Sequence, residues 1–442
     1  MLEISYSRIL RMSIPLMASS FIQSIVMITD SAFLSRYGTI DFDAAGNAGM
    51  IYVTLFVILM GMSDGSQILM ARRIGENRSR RLPQLFGSAL LLNFIGAMIL
   101  FGLAQLLLPS LISSIVHNQE IASGEIEFVQ YRSIGLFFSV GILAINAYFL
   151  SIGKTFLVLI GSAVIAFGNI LLDYLLIFGI GDFPELGLRG AALASTLAEG
   201  LGFIFLATAF INNSDQKKHQ IIRHMRVKKE TVLQLIKLSS PIMLQGLVAL
   251  STWTTFFIWI EQLGTHELTI SQVIRTIYFL TFVPIWGFAG TTKTYISQYV
   301  GKRDFASIKI IQRKIQLLTL FCLLIITHGL ILYPGTLVSM INPDELINKE
   351  TADILRFIFG SILIFGISSV YFQSISGSGN TRFSFLIELS SVIAYLVAAY
   401  LLIKVYEADL FWVWSVEYIY FISLGLLSYG YLRFFNWQNK EV

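Results

Sequence analysis

Two aspartates lie inside long apolar stretches of the chain, where an ionisable side chain is costly. Asp30 stands in MITDSAFL and Asp173 in GNILLDYLL. A charged side chain at the centre of a bilayer costs about 2.5–3.5 kcal/mol or more, so a residue of this kind is a candidate for function. Asn169 precedes Asp173 by one helical turn and therefore shares a helix face with it.

These residues, with Thr196 at a comparable depth in the next apolar segment, offer oxygen atoms to a cation. Two carboxylates, an amide oxygen and a hydroxyl suit a hard cation such as Na⁺. Two neighbouring carboxyls can instead hold a proton, because repulsion and desolvation disfavour their joint ionisation. We therefore predict a cation-coupling site that is a metal site only if Na⁺ is the ion. The alternative is that each acid only hydrogen-bonds a neighbouring helix. The predicted site residues are Asp30, Asn169, Asp173 and Thr196.

Four more charged residues fall at membrane depth and form a possible additional polar path. Asp64 can extend an acidic path or pair with a polar neighbour. Lys293 and Glu388 lie at similar depth in the second half, where a structural ion pair is the alternative. Glu199 recurs as Glu417 in the second half, which favours a packing role for it first.

The composition places these residues in a membrane. The chain has 442 residues, of which 55% are hydrophobic and 13% charged, with a mean hydropathy of +0.72. An average soluble domain carries about 25% charged residues, and about 20 apolar residues span a bilayer as a helix. We predict an all-α integral membrane protein and exclude a soluble enzyme. The twelve predicted segments are 10–36, 45–71, 84–116, 128–151, 156–180, 188–211, 233–262, 269–299, 311–340, 353–377, 383–404 and 410–433.

The charges of the loops predict the orientation. Arginine and lysine crowd into ARRIGENRSRRLPQ, SDQKKHQIIRHMRVKKE and GKRDFASIKIIQRK, whereas the alternate loops are acidic or sparse in charge. The positive-inside rule then places both termini in the cytoplasm of a multi-pass plasma (inner) membrane protein. The first segment lacks a small-residue cleavage site, so we expect no removable signal peptide.

The sequence repeats itself at an offset of 226 residues. Pro15 corresponds to Pro241 and Gly75 to Gly301, and two further glycines and one threonine follow the same offset. Six crossings separate the copies, so we expect two parallel six-helix repeats arranged as two lobes. The predicted N-terminal lobe is 1–211, the cytoplasmic linker is 212–231, and the C-terminal lobe is 232–442.

No enzymatic motif accompanies this pattern. The chain lacks a phosphate-binding GxxxxGK[ST] and HExxH. A single GxSxG string, GMSDG at 61–65, lies inside a predicted membrane segment and not at the strand-to-helix turn that a nucleophilic serine needs. We therefore expect no enzyme activity and no cofactor apart from a coupling ion, H⁺ or Na⁺. A membrane transferase would need an acid or a histidine beside a donor site, and no such constellation stands out. A channel remains an alternative that flux measurements would distinguish.

The combined motifs resemble the multidrug and toxic compound extrusion (MATE) family of transporters. The resemblance covers nearly the whole chain and rests on order and spacing. The motifs are MITDSAFLSRYG, RRIGENR, YFLSIGKT, GNILLDYLLIFG, GLRGAALAST, PIWGFAGTTKTYISQYVGKRD and SISGSGNTR.

The resemblance implies export of organic, often cationic or amphipathic, compounds driven by inward H⁺ or Na⁺. It also implies that Asp30, Asn169, Asp173 and Thr196 match the family's N-lobe cation site. The stretch RFIFGSILIFGISSVYFQSI of the tenth segment carries no acid, which favours the DNA-damage-inducible branch over the branch with second-lobe acidic residues. A lipid-linked saccharide flippase of the same superfamily is the alternative. The expected partners are a small organic substrate and membrane lipid, with no nucleic acid, and we expect a monomer.

Overall fold

The computed structural model describes residues 1–342 and 344–438. Pro343 and the final residues of the predicted C-terminal lobe, 439–442, lie outside the described residues. Within the described ranges the chain is helical and contains no strand. Eleven of these described helices are long and apolar enough to cross a membrane, and one bent pair makes a twelfth span. The predicted all-α membrane fold is therefore confirmed.

We number the spans α1 to α12 in chain order. Their bounds are Tyr6–Tyr37 (α1), Thr39–Gly75 (α2), Ser79–Ile115 (α3), Gln119–Ser133 with Gly135–Ser151 (α4), Thr155–Phe178 (α5), Gly187–Asn212 (α6), Lys229–Glu261 (α7), Thr265–Lys302 (α8), Phe305–Thr327 (α9), Glu345–Gly377 (α10), Thr381–Val405 (α11) and Leu410–Phe434 (α12).

The fourth span is longer than the predicted segment 128–151 and is bent by 44° after Ser133. It begins at an acidic, polar stretch because Asn118 caps it. The side chain of Asn118 accepts hydrogen bonds from the backbone N–H groups of Glu120 (2.9 Å) and Ile121 (3.4 Å). A cap of this kind satisfies N–H groups that the first helical turn leaves unpaired.

The ninth span is shorter than the predicted segment 311–340. It ends at Thr327, and two short helices follow, Gly329–Leu332 and Pro334–Ser339. Pro334 begins the second of them, because proline lacks the N–H needed within a helix but fits the first helical position.

The residue contacts divide the chain into two compact units. The first unit is Ala18–Met243, and the second comprises Met1–Met17 together with the chain from Leu244 onward. The division points, Met17 and Met243, are themselves 226 positions apart. Each falls inside a helix, shortly after an internal proline. The predicted linker 212–231 belongs to the first unit. The start of α1 belongs to the second unit and the start of α7 to the first, whereas the predicted lobes assigned each whole helix to one lobe.

Hydrogen bonds explain this grouping. In the second unit, Ser13 near the start of α1 donates to the hydroxyl of Thr291 at 2.9 Å. The hydroxyl of Tyr299 donates to the Leu2 carbonyl at 3.0 Å. In the first unit, the amide of Gln84 donates to Thr231 at the start of α7 at 2.5 Å. Apolar periodicity identifies a helix but not the unit against which its first turns pack, so the sequence did not predict this feature.

The packing within each unit repeats. In the first unit α2 packs on α3 and α4, α4 packs on α6, and α5 packs on α6. In the second unit α8 packs on α9 and α10, α10 packs on α12, and α11 packs on α12. Each contact recurs six spans later, in agreement with the internal repeat in the sequence.

A glycine permits a close backbone approach between α5 and α6. A Cβ at Gly190 would lie 2.5 Å from the carbonyl oxygen of Leu176. We predict that Gly190→Ala lowers the melting temperature of the detergent-purified protein, because overpacking costs about 1–3 kcal/mol. Gly102→Ala is the matched control, since nothing lies within 4 Å of that Cβ position. Equal melting temperatures for the two variants would contradict this packing.

Candidate functional site

The first unit brings the two predicted aspartates together. Asp30 on α1 and Asp173 on α5 place their carboxyl groups within hydrogen-bonding reach of each other. Asp173 has no exposed surface within the protein. An ionised carboxylate only accepts hydrogen bonds, so two carboxylates at this separation repel each other. The arrangement is stable when one carboxyl holds a proton or when a cation lies between them.

Several oxygen atoms of these residues are buried without a hydrogen-bond partner. They are Oδ1 of Asp30, both carboxylate oxygens of Asp173 and Oδ1 of Asn169. A buried polar atom without a partner costs free energy, and a buried carboxylate costs more. The cluster therefore has unused capacity for a positively charged or proton-donating species.

Asn169 on α5 and Thr196 on the adjacent helix α6 present neutral oxygens. The side-chain nitrogen of Asn169 donates to the hydroxyl of Ser195 on α6 at 3.0 Å, which leaves its Oδ1 without a donor. Thr196 donates its hydroxyl proton to the Tyr131 carbonyl at 3.3 Å, so its lone pairs remain available to a cation. Both side chains are buried.

The donor set consists of oxygen atoms. Such a set suits a proton or a hard cation rather than a transition metal. In residues 1–342 and 344–438, no group of three His, Cys, Asp or Glu side chains is arranged to hold a metal ion. The chemistry that the four predicted residues can support is therefore the binding of H⁺ or Na⁺.

Arg132 is a member of this cluster that the sequence analysis missed. Its guanidinium group donates to Glu199 Oε1 at 2.5 Å, and the two side chains are only 13% and 12% exposed. The guanidinium carbon lies 3.9 Å from the ring centroid of Tyr52. Its charge acts on both Asp30 and Asp173. The sequence signal that could have identified Arg132 is its position as a basic residue inside the predicted apolar segment 128–151.

The carboxylate of Glu199 has further partners. It accepts hydrogen bonds from Tyr52 (3.5 Å) and Ser139 (3.2 Å). Gly135 leaves room for this ion pair at the bend of α4, because a Cβ there would lie 2.4 Å from Arg132 Nη1 and 2.5 Å from Glu199 Oε2. Glu199 is thus connected to the Asp30–Asp173 pair through its ion pair with Arg132.

The other residues of the predicted polar path lie elsewhere. Asp64 is on α2, twelve residues beyond Tyr52, which corresponds to roughly 18 Å along the helix. Lys293 on α8 and Glu388 on α11 belong to the second unit. Glu388 is buried there and accepts a hydrogen bond of 2.6 Å from Tyr420. An ion pair between Lys293 and Glu388 stays a prediction.

Comparison with known proteins identifies the family. The MatE family model matches residues 15–175 and 222–401. These ranges cover well over half of the chain and contain Asp30, Asn169 and Asp173. The chain belongs to the MatE family. Proteins of this family are transporters, so the chain is a multi-pass membrane transporter and not an enzyme.

Relatives within the MatE family match almost the full length of the chain. "Probable multidrug resistance protein NorM" of Thermotoga maritima is 25% identical over 98% of this chain and 93% of its own length. A Synechocystis protein of the same name is 23% identical over 98% and 94%. A solved structure described as the outward-facing conformation of a multidrug resistance MATE family transporter superposes with a TM-score of 0.89. It is 18% identical and covers 99% of this chain and 97% of its own, which shows a shared fold. These relatives do not favour the flippase alternative.

The Arg132–Glu199 ion pair gives a prediction about stability. We predict that Arg132→Gln destabilises the protein strongly, because removal of one partner from a buried ion pair costs about 3–5 kcal/mol. The double variant Arg132→Gln/Glu199→Gln should be more stable than Arg132→Gln alone, since no carboxylate is left without its cation. Thermal unfolding of the wild type, both single variants and the double variant measures this coupling. Simple addition of the two single losses would contradict a direct pair.

Proposed function

We propose that this MatE-family protein is a secondary antiporter that exports small organic compounds in exchange for an inward-moving cation, H⁺ or Na⁺. One observation carries the proposal. The carboxyl groups of Asp30 and Asp173 approach within hydrogen-bonding reach, and Oδ1 of Asp30 and both oxygens of Asp173 are buried without a donor. A site of this kind has much higher affinity for a cation in one arrangement of α1 and α5 than in another.

That difference in affinity is what coupling requires. A cation can shift an equilibrium between two conformations only if it binds them unequally. With a cation or proton present, the two carboxyls attract a common partner and α1 and α5 are held close. Without it, repulsion between two carboxylates in an apolar environment favours separation of the helices. Entry of the cation from outside would thus favour one shape of the first unit, and its release to the cytoplasm would restore the other.

The substrate class follows from the relatives and stays part of the proposal. The matching proteins carry names that refer to multidrug resistance, which supports organic, cationic or amphipathic compounds as cargo. The absence of an acid from RFIFGSILIFGISSVYFQSI in the tenth predicted segment supports coupling through the first unit and a place near the DNA-damage-inducible branch. The basic loops support an inner-membrane location with both termini in the cytoplasm. A monomer surrounded by lipid is also part of the proposal, because both repeats already lie in one chain.

The coupling residues can be tested by transport. We predict that Asp30→Asn and Asp173→Asn each abolish gradient-driven efflux of ethidium from proteoliposomes, because a neutral amide cannot form the cation-holding carboxyl pair. Asp182→Asn is the matched control, since Asp182 is an exposed loop carboxylate. Melting temperatures close to that of the wild type would show that the variants are folded. Undiminished efflux in both folded site variants would contradict the proposal.

The choice between Na⁺ and H⁺ depends on the neutral oxygens. If Na⁺ is the coupling ion, Thr196→Val removes one ligand oxygen while keeping the side-chain shape. The Na⁺ concentration for half-maximal efflux should then rise by about tenfold, the scale of a loss of roughly 1.4 kcal/mol. If H⁺ is the ion, the carboxyl pair suffices and the pH dependence of efflux should not change. Efflux measured with separate Na⁺ and pH gradients distinguishes the two ions. If efflux by Asp173→Asn still depended on both gradients as in the wild type, neither ion would be coupled through this site.

A further inference from the structure

The proposed antiport mechanism assigns no role to one buried charged side chain, that of Arg132. Arg132 stands beside the carboxyl pair, and its Nη1 atom is buried without a hydrogen-bond partner. Its other terminal nitrogen, Nη2, is bound to Glu199. A permanently charged guanidinium next to a site for cations is unfavourable for cation binding, so its presence calls for a physical explanation.

The second unit provides an internal comparison. At the offset of 226 residues, Asp30 corresponds to Phe256, Asp173 to Ala399 and Arg132 to Ile358. All three replacements belong to one hydrophobic core cluster. The three corresponding positions of the second unit thus lie in one apolar core. In the second unit they are all apolar, so the guanidinium and the carboxyl pair are present together or absent together.

The tyrosine–glutamate contact behaves differently, because it persists in both units. Tyr52 donates to Glu199 in the first unit, and Tyr278, at the same offset from Tyr52, donates to Glu417 at 3.1 Å in the second. Glu417 also accepts a hydrogen bond from Tyr395 at 3.2 Å. This contact thus needs no arginine. An arginine accompanies the contact only in the unit that carries the two aspartates. This association links Arg132 to cation binding by Asp30 and Asp173.

The charges of the cluster show what Arg132 can do. The titratable and charged groups that act on one another there are Asp30 on α1, Tyr52 on α2, Arg132 on α4, Asp173 on α5 and Glu199 on α6. Arg132 is positive at every relevant pH. Its field opposes an incoming cation at the aspartates, and Glu199 offsets most of that field through a direct ion pair.

We propose that Arg132 is a positioning residue of the cation site, whose charge, balanced by Glu199, sets how tightly the Asp30–Asp173 pair holds its cation. The guanidinium keeps the affinity low enough for the cation to leave on the cytoplasmic side. Glu199 keeps it high enough for the cation to bind from outside. This inference rests on the proposed function, since it assigns a role in tuning the same site.

The test changes each charge separately in the full chain. In proteoliposomes loaded with ethidium, Glu199→Gln should weaken cation binding, because Arg132 loses its counter-charge. The half-saturating Na⁺ concentration should rise about tenfold, or the pH of half-maximal efflux should fall by about one unit. Arg132→Gln should shift the same quantity in the opposite direction. Arg132→Lys and Glu199→Asp retain the charges and should restore values close to that of the wild type.

Glu417→Gln is the matched control, because it removes the corresponding carboxylate of the second unit and should leave the cation dependence unchanged. If Arg132→Gln does not fold, Glu199→Gln and its rescue by Glu199→Asp still decide the outcome. Shifts in the same direction for both charge removals, or no shift in Glu199→Gln, would overturn the inference. The proposed function would fail separately, if Asp30→Asn and Asp173→Asn retained coupled efflux.

Discussion

The approach of two carboxyl groups inside an apolar helix bundle is the interaction on which the account of this transporter depends. Asp30 and Asp173 cannot both be ionised and unaccompanied at that separation, because the apolar surroundings screen their repulsion poorly. The spacing of α1 and α5 is therefore linked to the presence of a proton or cation. A membrane protein in which an ion gradient drives a change of helix packing needs such a linkage between ion binding and conformation.

The surrounding helices hold this pair in place through contacts that satisfy most of the other polar groups. Asn169 binds Ser195 across α5 and α6, and Thr196 binds the backbone of α4. The bend of α4 and the glycine at position 135 admit the ion pair between Arg132 and Glu199. Oδ1 of Asp30, Oδ1 of Asn169 and both carboxylate oxygens of Asp173 are buried without donors. These oxygens are the ones available to a proton or cation at the carboxyl pair.

Much of this arrangement could be predicted from the sequence. Apolar segments of bilayer length predicted the twelve spans, and the spacing of Asn169 and Asp173 predicted their shared face. The free-energy cost of a charge inside an apolar segment identified Asp30 as a candidate functional residue from its sequence position. Arg132 was missed because a residue near the end of a segment can extend its long side chain to either water or the interior. The division points within α1 and α7 also depend on partners distant in sequence, which helical periodicity does not identify.

The central claim is that the Asp30–Asp173 pair binds the coupling cation. Its most direct test is cation binding by the purified protein in detergent, without any transport assay. Equilibrium binding of radioactive Na⁺ and proton release on a pH jump would be compared for the wild type and Asp173→Asn. We expect the wild type to bind one cation or titratable proton that the folded variant lacks. An equal stoichiometry and affinity in both proteins would contradict it.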